Sequence, residues 1–185
     1  MKINLYFVRH AHSVYSTDEL GRPLSEKGLL DACRVTALLK QERIDRVLSS
    51  PYQRAVQTVA GVAEEIGSEI ELVEEFKERT LSEGPLGDFA SAIRKVWEDE
   101  HFFWEGGESN VQAQKRGVAK TLEVLQTYQG QNIVIGTHGN IMVLIMNHFD
   151  PSFDFQFWKE LAMPAIYQLS FNGTNLENVK RIGNF

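Results

Sequence analysis

The chain has 185 residues, 43% of them hydrophobic and 24% charged, with a net charge of −6 at pH 7. That length suits one compact domain and is too short for a typical (β/α)8 barrel, and the composition excludes disordered and fibrous classes. The acidic balance argues against a nucleic-acid binder, which displays a basic stripe, but leaves room for a small anionic ligand where cations gather locally.

Cys33 is the only cysteine, so no disulfide forms within the chain and no Cys-rich metal site exists; a reducing cytoplasm is the simplest location. The apolar run Ile3 to Val8 is too short for a signal core or a membrane span, and Arg9-His10 stop it, so no membrane role is expected. This run reads as a first strand, buried on both faces.

Leu24-Ser25-Glu26-Lys27 then looks like a helix start with Ser25 as N-cap, and Leu29, Ala32, Cys33, Val35, Leu38 and Leu39 form its apolar side to about Gln41. Arg46 to Ser49 is a second strand. Ser50-Pro51 reads as a second helix start leading into Tyr52 to Ile66, with Arg54 in the first turn. Ile70 to Val73 is a third strand, and Glu75 to Gly87 a polar connection containing glycine and proline.

A helix is expected from about Phe89 to Phe102. Ser109-Asn110-Val111-Gln112 fits a capping box that opens a helix to about Tyr128. Asn132 to Gly136 is another buried strand, ending in Thr137-His138-Gly139 and followed by an apolar helix from Ile141 to Asn147. Ala165 to Phe171 and Leu176 to Ile182 pair as antiparallel strands across the Asn172-Gly173 turn. The alternation predicts a three-layer α/β/α sandwich with a mostly parallel central sheet, 1–185 forming a single domain.

In such a fold, ligands collect beyond the carboxyl ends of parallel strands, and His10, Ser49-Ser50 and His138 all occupy such ends. If those ends converge, Arg9, His10, Arg54 and His138 surround one small pocket, with the helix start after Ser50 directed at an anion. Guanidinium forks bind phosphoryl oxygens bidentately and absorb the charge of phosphoryl transfer. Flanking arginines oppose imidazolium formation, so neutral His10 is the candidate nucleophile, its ring oriented by a backbone carbonyl near the small Ala11. Glu78, in Phe76-Lys77-Glu78-Arg79, is the candidate proton donor to the leaving group, with Glu75 and Glu83 as its nearest competitors.

These residues resemble the histidine phosphatase superfamily, the group that includes the phosphoglycerate mutases. The likeness runs in family order through Arg9-His10-Ala11, Leu24-Ser25-Glu26-Lys27-Gly28, Ser49 to Thr58, Lys77-Glu78-Arg79, Gly107-Glu108-Ser109 and Thr137-His138-Gly139, and is weakest between Ser82 and Gly106. The resemblance implies a phosphohistidine at His10, phosphate binding by Arg9, Arg54, His138 and Gly139, catalytic roles for Glu78 and His138, and neither metal nor organic cofactor. Family members often carry Glu or Gln where His12 stands, and Asn, a phosphate contact, where Ser16 stands; Ser16 can still donate a hydrogen bond to the phosphate.

The reaction so implied is hydrolysis of a small phosphorylated metabolite by a histidine acid phosphatase-like phosphoric monoester hydrolase. The alternative is a phosphoglycerate mutase using the same phosphohistidine, disfavoured because the chain lacks room for the insertions of those enzymes. Further alternatives are a metal-dependent hydrolase using the His10-x-His12 pair and a weakly catalytic module that binds phosphorylated ligands. For metal, the chain offers few other ligands, since His101 and His148 fall within helical patterns. The segment at about 82–107, with Phe102 to Trp104, is the candidate substrate cover. Nothing in the sequence speaks to oligomeric state.

Overall fold

Four of the strands run parallel because each is fed back by a helix, and their common end builds the site. The structure, a computed structural model, describes residues 2–84 and 86–185. Its strands are β1 (Lys2–Arg9), β2 (Arg46–Ser49), β3 (Ile70–Leu72), β4 (Asn132–Thr137), β5 (Ala165–Asn172) and β6 (Asn175–Arg181). They form one sheet in the spatial order β3-β2-β4-β1-β5-β6. The first four are mutually parallel, whereas β5 pairs antiparallel with β1 and β6 antiparallel with β5.

The period of two along β1 sorts its side chains between two helical layers. Ile3, Leu5 and Phe7 enter the core shared with α4 (Asn110–Thr127) and α5 (Gly139–Phe149). Tyr6 and Val8 face the opposite core, shared with α1 (Glu26–Leu39) and α2 (Gln53–Ile66). The α/β/α sandwich read from the sequence is therefore the observed fold.

Register sets the site. Arg9 lies opposite Thr137, so His10 and His138 leave the sheet side by side; Ser49 lies opposite Gly136, so Ser50 emerges next to them. The backbone continues the pairing one step further, with His10 N donating to Thr137 O at 2.9 Å and Ser50 N to Gly136 O at 2.8 Å.

Several local expectations are corrected. The second helix starts at Gln53, its N-cap is Tyr52, and Ser50 does not cap it. The third, α3 (Phe89–Glu98), stops four residues early, because Asp99 turns extended and closes it; His101 therefore lies in a turn, outside any helix. On α1 the buried stripe is Gly28, Asp31, Ala32, Val35 and Leu39, leaving Leu29 48% exposed and Cys33 exposed. Two apolar stripes overlap in that helix, and the one carrying Ala32, Val35 and Leu39 meets the core. A short helix α6 (Phe155–Glu160), capped by Asp154, was not read from the sequence; its aromatic residues mask a period of 3.6. Pro85, inside the expected cover, lies outside the described residues. Among the described residues no helix is long and apolar enough to cross a membrane.

The two caps with the clearest signatures form as expected. Ser25 accepts from Gly28 N, and Ser109 and Gln112 make a reciprocal capping box. Gly28 also has a second duty, because a Cβ there would lie 2.0 Å from the carbonyl oxygen of His12. Since backbone on both sides limits relaxation, Gly28→Ala is expected to cost about 2 kcal/mol and to lower Tm by roughly 5 °C in a thermal melt. An unchanged Tm would show that the loop from His12 to Ser25 yields freely.

Candidate active site

His10 is 7% exposed, and its Nδ1 lies 2.8 Å from the carbonyl oxygen of Ala11. A carbonyl can only accept, so Nδ1 carries the proton and Nε2 keeps the lone pair. Burial, the largest cause, lowers the pKa of His10 to about 3; the Ala11 hydrogen bond opposes it, and Arg54, Arg9 and Arg22 add repulsion. The ring is therefore neutral for a different leading reason than the sequence suggested: desolvation comes first and the arginines second. The Ala11 backbone is itself fixed, since its N–H donates to Thr58 Oγ1 at 3.0 Å.

His138 is fully buried and meets His10 edge to face, with ring centroids 5.2 Å apart. Its Nε2 is 2.8 Å from Ser50 Oγ, which also accepts from Tyr52 N at 3.3 Å. Burial holds the His138 pKa well below its usual value, with further repulsion from His10 and Arg54. Nε2 shares a hydrogen bond with the serine hydroxyl, while Nδ1 is buried and, among the described residues, without a partner. Ser50 thus bonds His138 in place of the capping role expected for it. Tyr52 packs edge-on against the same ring at 5.0 Å.

Three guanidinium groups act on this pair. Arg9 is anchored by Nη1 to the carbonyls of Leu161, at 2.6 Å, and Ala162, at 3.3 Å. Arg54, 3% exposed, donates from Nη1 to the carbonyl of Glu19 at 2.7 Å and lies over the Tyr52 ring. Arg22, in the loop before α1, bears on His10, His138 and Arg54 alike. Among the described residues the Nε of each of the three is buried without a partner. Buried N–H groups are almost always paired, so these three nitrogens, on guanidiniums that act electrostatically on both imidazoles, are unusual and suit an anionic partner. The start of α2 contributes less than expected, since Gln53 N is committed to the carbonyl of Leu20.

Glu78 is gathered into the site by α5. Its Oε1 accepts from Arg79 N at 2.9 Å and Ile141 N at 3.0 Å, and its Oε2 from Asn140 N at 3.1 Å. A carboxylate offers about four lone-pair positions, so these three bonds leave one, on Oε2, for a mobile proton. The carboxylate partly offsets the burial of Arg9 and Arg54, which places it beside the same pocket. Among the described residues neither competitor, Glu75 or Glu83, has a side-chain hydrogen bond to the site; their backbones pair with Arg116 and with the Glu105 carbonyl.

Gly139 opens α5 against Arg9; a Cβ there would sit 3.0 Å from Arg9 Nε. Among the described residues no hydrogen bond ties Ser16 to the cluster; its hydroxyl accepts from Asp18 N at 3.1 Å and shapes the loop. His12 bonds through Nδ1 to Ser25 Oγ at 2.8 Å, so the two histidines of His10-x-His12 turn their Nδ1 atoms to different partners. Among the described residues no group of three or more His, Cys, Asp or Glu could hold a metal ion.

Arg22, Glu19, Tyr52 and the carbonyls of Leu161 and Ala162 were not legible. Arg22 had one weak signal, its place before Pro23-Leu24 and the capped helix; the carbonyls had none.

A parallel-sheet α/β fold with buried imidazoles and unpaired guanidiniums at its strand ends defines the class, an anion-handling site on a doubly covered sheet. The family described as histidine phosphatase superfamily (branch 1) matches residues 5–181, and the chain belongs to it. Among relatives, a Hydrogenobacter thermophilus protein named "Putative phosphoserine phosphatase 2" is 26% identical over 156 residues, covering 77% of this chain and 76% of its own. Among solved structures, a mycobacterial glucosyl-3-phosphoglycerate phosphatase complexed with VO3 matches with a TM-score of 0.80 at 20% identity, covering 96% of this chain and 97% of its own. An Entamoeba histolytica phosphoserine phosphatase complexed with 3-phosphoglyceric acid matches with a TM-score of 0.76 at 19% identity, covering 99% and 98%. At that identity the two structures speak for the fold.

Proposed function

We propose that the protein is a phosphatase that hydrolyses a small phosphomonoester through a phosphohistidine at His10. The observation that carries this reading is the imidazole itself: Nδ1–H is held by a carbonyl, Nε2 keeps its lone pair, and three guanidiniums act on it electrostatically. In the first step Nε2 attacks phosphorus and the ester P–O bond breaks, with the proton on Glu78 passing to the departing oxygen. In the second, water attacks phosphorus, its proton goes to Glu78, and the P–N bond breaks to return neutral His10. Arg9, Arg54, Arg22 and His138 stabilise the equatorial oxygens in both steps. The α5 N-terminus holds Glu78 through Asn140 and Ile141, beside Gly139 and Arg9.

The segment at about 82–107 serves as a substrate cover, with Trp97 of α3 donating from Nε1 to Asn140 Oδ1 at 3.3 Å and so reaching the residue whose amide holds Glu78. The names of the relatives, phosphoserine and glucosyl-3-phosphoglycerate phosphatases, support a small phosphorylated substrate. A cytoplasmic location accords with the single, exposed Cys33.

The test is a phosphoester panel of sugar phosphates, phosphoglycerates, phosphoserine, nucleotides and ribazole-type phosphates, read by phosphate release, with acid-quench trapping of the enzyme. Release from at least one ester is expected, together with a bound phosphate that is base-stable and acid-labile. Release that disappears in chelator and returns with zinc or manganese would replace this reading with a metal-dependent hydrolase. Transfer only after bisphosphoglycerate priming would replace it with a mutase.

A further inference from the structure

Glu19 stands where two cations of the phosphate cradle meet the solvent. Its Oε1 is 2.9 Å from Arg22 Nη1 and its Oε2 is 3.3 Å from Arg54 Nη2, while its carbonyl takes Arg54 Nη1. Exposure rises outward, from 3% for the Arg54 side chain to 19% for Arg22 and 54% for Glu19. The carboxylate therefore forms the outer edge of a guanidinium pair whose Nε atoms are buried and without partners.

A phosphoryl group that reaches His10 must turn its organic remainder back toward the opening, because His10 is 7% exposed. Glu19 is then a carboxylate at the solvent side of Arg22 and Arg54, toward which that remainder turns. It cancels one of those two positive charges, so the cradle is matched to a phosphoryl dianion and gives little attraction to any second anionic group.

We infer that Glu19 is a specificity determinant that favours phosphomonoesters with an uncharged or ammonium-bearing organic part over those bearing a carboxylate or a second phosphate. The inference rests on the phosphatase reading above. A like charge a few ångströms from Glu19 in a partly solvated opening is disfavoured by roughly ten-fold, and an ammonium is favoured. A merely structural Glu19 would align both arginines and affect every substrate alike.

The experiment compares kcat/KM for O-phosphoethanolamine, glycerol 2-phosphate and 2-phosphoglycolate in the wild type, Glu19→Gln and Glu19→Asp. Wild type is expected to prefer the ammonium ester over the carboxylate ester by roughly ten-fold. With each rate divided by that for glycerol 2-phosphate in the same protein, Glu19→Gln should collapse that preference, Glu19→Asp should keep it, and rising salt should shrink it. A preference unchanged in Glu19→Gln, or equal losses on all three esters, overturns the inference. Calorimetric binding of the same esters to the His10→Ala protein separates the two readings. A binding preference without wild-type turnover removes the phosphatase and keeps the charge filter; turnover with a flat binding ranking removes the filter alone.

Discussion

His10→Ala is expected to abolish steady-state turnover, by at least about 10⁴-fold, and to eliminate the acid-labile phosphoenzyme, because no other nitrogen in the pocket is placed to replace Nε2. His138, the nearest imidazole, has its Nε2 engaged by Ser50. Quench trapping and phosphate release check this together; full activity in the variant would end the assignment. The same substitution has a consequence for stability. Unfolded histidine binds a proton near pH 6.5, whereas His10 in the folded protein does not until about 3, so the folded state loses stability as pH falls through that window. His138 acts in the same direction. The alanine variant should therefore lose less stability between neutral pH and pH 4 than the wild type, and the acid side of the wild-type rate profile should be set by groups other than His10.

The sheet was legible because its signals are local. Ile3 to Val8 and Asn132 to Gly136 are apolar runs of strand length, and Ser25 and Ser109 announce their helices with caps that form. The site was legible where strand ends carry chemistry, at Arg9, His10 and His138, since the register of β1 against β4 brings those ends together. What escaped was set by contacts distant in sequence. Ser50 looked like a cap by its neighbours Pro51 and Tyr52, yet His138, 88 positions away, takes its hydroxyl. Arg22 lies in a loop with no period, and its approach to Arg54 depends on Glu19 bridging the two. The early end of α3 likewise follows from the extended backbone of Asp99, which the run of helix-compatible residues to Phe102 does not announce.

Glu78→Gln is expected to lower kcat/KM roughly 10³-fold on an alkyl phosphate and far less on p-nitrophenyl phosphate. The difference follows from the leaving group: an alkoxide needs a proton as the P–O bond breaks, whereas a nitrophenolate is stable without one. The contrast matters because Glu78 also has a structural duty. Its two oxygens accept three backbone N–H groups, two of them at the start of α5, and a glutamine would set its own NH2 against one of those donors. That clash would disturb α5 and its neighbour His138 equally for every substrate. A loss of the same size on both esters would therefore make Glu78 a scaffold for the helix, and a loss that grows with the basicity of the leaving oxygen makes it the proton donor. Glu75 and Glu83 supply the control, since neither carboxylate is tied to the pocket and their glutamine variants should keep the wild-type ratio between the two esters.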